Sequence, residues 1–124
     1  MPCRGRSSQS RAKYYANAYG TAYIKALSAC PLNWNDKPNT ERRVIGAAVD
    51  SCYFPLFEIE NGITTLNYNP ETMKKKIPVL DWLIMMGRTK HLAKEPYGHI
   101  VEEIQAEVDR RWERLKARAE HPLL

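Results

Sequence analysis

Apolar residues gather in stretches whose spacing changes along this chain, and each spacing predicts a different element. Ala22-Tyr23-Ile24-Lys25-Ala26-Leu27 is short and rich in β-forming residues, bounded by Gly20 and by Cys30-Pro31, which predicts a buried strand. Ahead of it, residues 12–18 suit a helix that would lay Tyr14, Tyr15 or Tyr19 on a sheet. Residues 31–39 hold two prolines, three asparagines and an aspartate, a composition of turns. Beyond that loop, Val44, Ala47, Ala48 and Cys52 recur at helical spacing. Asn39 or Thr40 is placed to cap the helix, Glu41 lies near its positive end, and Ser51 stands near its last turn.

The second half repeats the alternation. Phe54 to Ile59 predicts another buried strand, Asn61-Gly62 a tight hairpin turn with positive φ angles, and Ile63 to Tyr68 the returning strand. Strand, helix and strand in that order imply a right-handed parallel crossover with an added antiparallel edge, a small mixed sheet of about three strands. Pro78 suits a first helical turn, Val79, Trp82, Leu83 and Met86 line one side of that helix as core, and Gly87 stops it. From Pro96 onward, Val101, Ile104, Val108, Trp112 and Leu115 recur at steps of three and four among charged residues, the pattern of an amphipathic helix. Two apolar helix faces ask for more cover than so small a sheet offers, which suggests part of a larger domain. The expected organisation is a basic disordered leader over 1–13, a body over 14–95 and a C-terminal amphipathic helix over 96–124.

Composition narrows the class. At 124 residues, with 44% hydrophobic and 27% charged positions, the chain reads as one ordinary soluble domain or part of one, expected in the cytoplasm. No apolar run approaches the roughly 18 residues of a membrane span. The net charge of +5 is concentrated early: residues 1–25 carry five basic side chains and no acid. Arg4, Arg6, Arg11 and Lys13 could touch phosphate backbones, but a solvated leader explains them more simply, and nucleic acid is not an expected partner. Cys3, Cys30 and Cys52 are an odd number at wide gaps, unlike a disulfide framework or a zinc site of paired thiolates.

Most candidate chemistry reduces to ordinary packing. Glu58 and Glu60 share one face of a strand, as a catalytic carboxylate pair could, yet polar-out alternation about Ile59 accounts for them. His91, His99 and His121 form no metal-binding or triad spacing, and no glycine-rich phosphate loop occurs. Gly87-Arg88-Thr89-Lys90 reads as a helix stop with solvated bases rather than an anion site. Cys30 differs in context: a thiol delivered by an apolar strand to the loop at its end stands where parallel α/β proteins assemble sites. Spacing alone still favours a buried, inert cysteine.

Several ordered motifs add to this. Tyr23-Ile24-Lys25-Ala26-Leu27-Ser28 leads into Cys30-Pro31 and Trp34, Tyr53-Phe54-Pro55-Leu56-Phe57-Glu58-Ile59-Glu60-Asn61-Gly62 follows, and then come Pro78 and a helix closing on Gly87-Arg88-Thr89-Lys90-His91-Leu92. From about Gly20 to His91 the chain resembles the C-terminal part of the β subunit of pyruvate and related 2-oxoacid:ferredoxin oxidoreductases. The resemblance implies an α/β chain that is the C-terminal fragment of a thiamine-diphosphate-binding fold. It implies an enzyme that uses thiamine diphosphate, Mg2+ and [4Fe-4S] clusters to decarboxylate a 2-oxoacid, pyruvate foremost, passing electrons to ferredoxin and the acyl group to coenzyme A.

The family's cluster-ligating cysteine in the Ser-x-Cys-Pro segment falls on Cys30, so Cys30 is the metal ligand the resemblance implies. No catalytic or thiamine-binding residue carries over. The family's paired cysteines near the β-subunit start and its Gly-Asp-Gly segment have no counterpart here. The chain is therefore expected to be silent alone, with the other β-subunit portion and the α subunit as partners. The alternative reading is a non-catalytic interaction module that docks through Val101 to Leu115.

Overall fold

The computed structural model describes residues 20–123. In chain order the elements are α1 (Pro31–Trp34), a 3-10 turn (Pro38–Thr40), α2 (Glu41–Asp50), strands β1 (Phe57–Glu60) and β2 (Ile63–Leu66), α3 (Val79–Leu83), a second 3-10 turn (Lys90–Ala93) and the long α4 (Gly98–Glu120). The helix expected over 12–18 and the leader over 1–13 lie outside the described residues.

Helix α2 forms where its apolar spacing places it, with Val44, Ala47 and Ala48 buried on one side. Thr40 occupies the N-cap position but does not cap: its hydroxyl donates to the Lys37 carbonyl (2.7 Å) within the 3-10 turn. Cys52, at φ 62°, then turns the chain sharply, and Phe54 N–H donates back to the Ala48 carbonyl (3.0 Å). The hairpin matches expectation at its turn, where Asn61 and Gly62 have φ of 51° and 80°, the two positive angles that let a two-residue loop follow the twist of its strands. Its antiparallel register sets Phe57 opposite Leu66 and Glu60 opposite Ile63.

Two strand expectations do not hold. Residues 22–27 form no strand: Tyr23 is 80% exposed and Ile24 57%, and the sheet among the described residues is β1–β2 alone. A buried strand needs neighbours for its backbone groups on at least one edge, and no described strand lies beside this segment. With it go the parallel crossover and the third strand, leaving an α/β fold built on one antiparallel hairpin with flanking helices. The predicted strand over 54–59 is shorter and more exposed than expected. Pro55 can donate nothing to a ladder, and Ile59 faces solvent at 54% exposure.

The core is helical. Val44, Ala47, Ala48 and Cys52 meet Val79, Trp82, Leu83 and Met86, as their spacing predicts, and Val108 and Trp112 of α4 close over them. The apolar face of α4 is thus not waiting for a partner. Trp112 is 1% exposed and Val108 3%, with Ile104 and Leu115 packed at the margin, so docking through Val101 to Leu115 is overturned as a free surface. Strand β2 and α3 both lie against this face, and Leu66 of β2 packs on the core that α2 and α3 share. Pro78 lies just before α3, and the Val79 N–H, which no turn of α3 could accept, donates to Gln105 Oε1 of α4 (2.8 Å).

Charge fastens the same helix to the 69–76 loop. Glu71 accepts from Lys116 Nζ (2.9 Å) and from Lys76 Nζ (3.0 Å), and Asn69 Oδ1 holds the Glu71 N–H (3.0 Å). The Lys116 hydrogen bond first, then Lys76, pulls the Glu71 carboxyl down to about 2 against the opposing effect of burial. The buried Trp112 indole N–H faces this carboxylate and helps to hold it ionised, although it lacks hydrogen-bond geometry. Tyr68 donates to Asp50 Oδ1 (2.7 Å) and closes the loop onto α2.

Two outcomes follow for stability. Trp112→Ala removes the largest fully buried side chain and is expected to cost about 3–5 kcal/mol, read as a lowered denaturant midpoint. A carboxyl depressed in the folded state stabilises above its unfolded pKa and loses that contribution as pH falls through the folded one. Thermal melts should therefore show a loss of about 1 kcal/mol between the ordinary value of 4.5 and about 2, absent in Glu71→Gln.

Candidate functional site

Cys30 stands on a short, well-tethered turn. Pro31 takes the first position of α1, where its missing N–H costs nothing, so this proline opens a helical turn rather than refusing one. Cys30 is the N-cap residue, with extended backbone angles, and its carbonyl accepts the Trp34 N–H (2.8 Å). It therefore sits at the start of a helix and not at the end of a strand. Its thiol is exposed, which overturns the buried, inert cysteine that spacing alone favours.

Four contacts fix the turn against the body. Trp34 meets Trp82 edge to face, with ring centroids 6.2 Å apart, and so anchors α1 on the core. Asn35, left-handed at φ 53°, ends α1 and accepts the Gly87 N–H on its carbonyl (2.9 Å). Arg88 reinforces this from the same turn, donating its N–H to the Trp34 carbonyl (3.3 Å) and Nη1 to Asn33 Oδ1 (3.3 Å). Gly87 is needed for closeness: a Cβ there would lie 2.5 Å from Asn35 Nδ2 and 2.6 Å from its backbone carbonyl. Sequence reading assigned Gly87 to helix termination and had no local signal for this contact, because Asn35 is distant in the chain.

The remaining candidates do not converge on Cys30. Among the described residues no group of three or more His, Cys, Asp or Glu side chains is placed to hold a metal ion. His99 Nδ1 lies 2.9 Å from the Pro96 carbonyl, and His91 packs edge to face on Tyr97, both local contacts. Glu58 and Glu60 stand on β1 opposite Thr65 and Ile63. Cys52 is the second described thiol, buried in the core, and that burial pushes it up to about 11. One exposed thiol on a rigid turn can supply one ligand to a shared metal group.

Comparison with known proteins gives this arrangement a class. Over about four-fifths of its length the chain matches a C-terminal part of the β subunit of 2-oxoacid:ferredoxin oxidoreductases, and it is a homologue of that family's PorB and VorB subunits. It is 37% identical over 101 residues, 82% of the chain, to ketoisovalerate oxidoreductase subunit VorB of Pyrococcus horikoshii, of which it covers 31%. It is 34% identical over 100 residues to pyruvate synthase subunit PorB of Thermotoga maritima, covering 80% of the chain and 30% of that protein. With PorB of Methanocaldococcus jannaschii the identity is 34% over 90 residues, 73% of the chain and 28% of the relative. The chain thus spans about a third of the length of the curated relatives it matches. No protein-family model matches it, and no solved structure does. No helix among the described residues is long and apolar enough to cross a membrane.

The contrast between the two thiols is directly measurable. Iodoacetamide labelling of the folded chain followed by peptide mapping should modify Cys30 at the rate of a free thiol and leave Cys52 protected until denaturant is added. Gly87→Ala should push the Asn35 turn away and weaken the tether of α1. The expected signs are faster Cys30 labelling and a stability loss of about 1–3 kcal/mol.

Proposed function

We propose that this chain serves as the C-terminal segment of the β subunit of a cytoplasmic 2-oxoacid:ferredoxin oxidoreductase and is catalytically silent alone. The reaction of the complete complex would be thiamine-dependent oxidative decarboxylation of a 2-oxoacid to an acyl-CoA, with electrons leaving through iron–sulfur clusters to ferredoxin. Pyruvate is the substrate favoured by the ordered motifs, and the similarity to VorB keeps a branched 2-oxoacid beside it. The observation that carries the reading is the similarity to PorB and VorB across four-fifths of the chain, joined to an exposed thiol at the family's Ser-x-Cys-Pro position.

The residues present fit one of the implied groups in part. Cys30 suits a [4Fe-4S] cluster as a single thiolate, because its turn is tethered and its sulfur is exposed. Each iron takes its own outer ligand, so the other ligands would come from outside the described residues. When bound, such a cluster supplies one-electron transfer; this chain's part is to hold Cys30 at a fixed place through Trp34, Asn35 and Gly87. Thiamine diphosphate and Mg2+ do not fit: the sequence carries no Gly-Asp-Gly segment to hold a diphosphate and its metal. Their binding belongs to the missing β-subunit portion. The exposed, strand-like segment 22–27 offers that portion an edge to pair with, which accounts for apolar side chains such as Tyr23 and Ile24 in solvent.

Reconstitution tests the whole reading. The chain mixed with the remaining β-subunit portion and the α subunit should restore 2-oxoacid-dependent reduction of ferredoxin, and Cys30→Ser should remove visible absorption belonging to one cluster. A complex equally active without the chain would refute its role, and unchanged cluster absorption in Cys30→Ser would remove the ligand assignment alone.

A further inference from the structure

Helix α4 is divided by charge along one face. Glu103, Glu107, Arg111, Arg114 and Arg118 follow one another at steps of three and four, which places them on a single strip beside the apolar stripe, and all five are exposed. The strip runs about 22 Å from Glu103 to Arg118, acidic at its N-terminal end and basic at its C-terminal end. Among the described residues Glu107 pairs with its neighbour Arg110, while Glu103, Arg111, Arg114 and Arg118 make no ion pair.

The basic end borders a cleft of about 250 Å³ between α4 and the chain around residues 52–57. Its walls include Tyr53, Pro55, Phe57 and Leu115, and Tyr53 and Phe57 are each 41% exposed. An open hollow of this size is smaller than the roughly 300 Å³ at which small-molecule pockets begin. The chain's own first nineteen residues cannot serve the arginines, since they carry Arg4, Arg6, Arg11 and Lys13 and no acid.

We propose that this surface binds a second copy of the same chain, α4 against α4, antiparallel about a two-fold axis. A strip acidic at one end and basic at the other is complementary to itself only when reversed. Glu107 of the second copy then faces Arg111 and Arg114, and its Glu103 faces Arg114 and Arg118, with the reciprocal pairs formed by symmetry. The same reversal brings Ile100, half-buried on the strip, to the Arg118 end of the cleft. A parallel arrangement would set acid on acid and base on base, which disfavours it. Glu107 exchanges its Arg110 partner at little cost, because both side chains are largely solvated. The inference stands apart from the function proposed above and uses none of its residues.

Sedimentation velocity on the full 124-residue chain tests it, at protein concentrations up to about 500 μM and in low and high salt. The expected result is a dimer that weakens as salt is added. Arg111→Glu with Arg114→Glu should weaken dimerisation by about 100-fold, as should Glu103→Arg with Glu107→Arg. An equimolar mixture of the two variants should restore it, because each then presents what the other lacks. Circular dichroism checks that each variant is folded, and Arg118→Glu alone provides a milder change should a double variant fail. A chain monomeric throughout, a dimer indifferent to the substitutions, or a mixture that does not recover association would each overturn the proposal.

Discussion

Burial of the α4 stripe against α3 and β2, over the core they share with α2, is the contact on which the rest of this chain depends. Trp112 and Val108 close a core otherwise made from short elements: α3 has five residues, and the hairpin strands four each. Elements of that length are not stable alone, since helix nucleation is costly and an isolated hairpin is marginal. A 23-residue helix laid across them supplies apolar cover, a carbonyl from Gln105 for the start of α3, and a lysine for Glu71. Each of these contacts joins positions far apart in sequence, so the small core holds as one unit.

The same core gives Cys30 its setting. Its turn is bound through Trp34 set edge to face on Trp82, and Trp82 belongs to the layer that α4 covers. The thiol stays exposed while the turn that carries it is held by bonds from Gly87 to Asn35 and from Arg88 to Trp34. That combination is what a shared metal group asks of one contributor: a donor held in place, with its other side open. The buried Cys52 has the opposite setting, its thiol kept protonated by burial, and serves packing.

The surface shows two kinds of unfinished business. Segment 22–27 presents strand-forming residues with no strand beside them, and the hairpin exposes Phe57, Ile59 and Ile63. Those features fit a chain that spans about a third of its relatives. The charged strip of α4 is different, because its own two ends are complementary.

How much of this was legible in the sequence depended on whether the deciding contacts were local. The α2 face of Val44, Ala47 and Ala48, the Asn61-Gly62 turn, the α3 core positions and the stripe of α4 all follow from periodicity or turn chemistry within a few residues, and each is present. Cys30 was legible as a candidate through Cys-Pro, but its exposure was not, because that depends on what packs around it. The strand expected over 22–27 does not form for a related reason: a β-forming composition reports a preference for a sheet, and no described strand supplies one. Tertiary structure alone decided that α4 covers its own chain, that Gln105 completes α3, and that Gly87 must be small because Asn35 lies against it. Local patterns set which residues seek burial or hydrogen bonds. Only the assembled chain decides which distant group satisfies them.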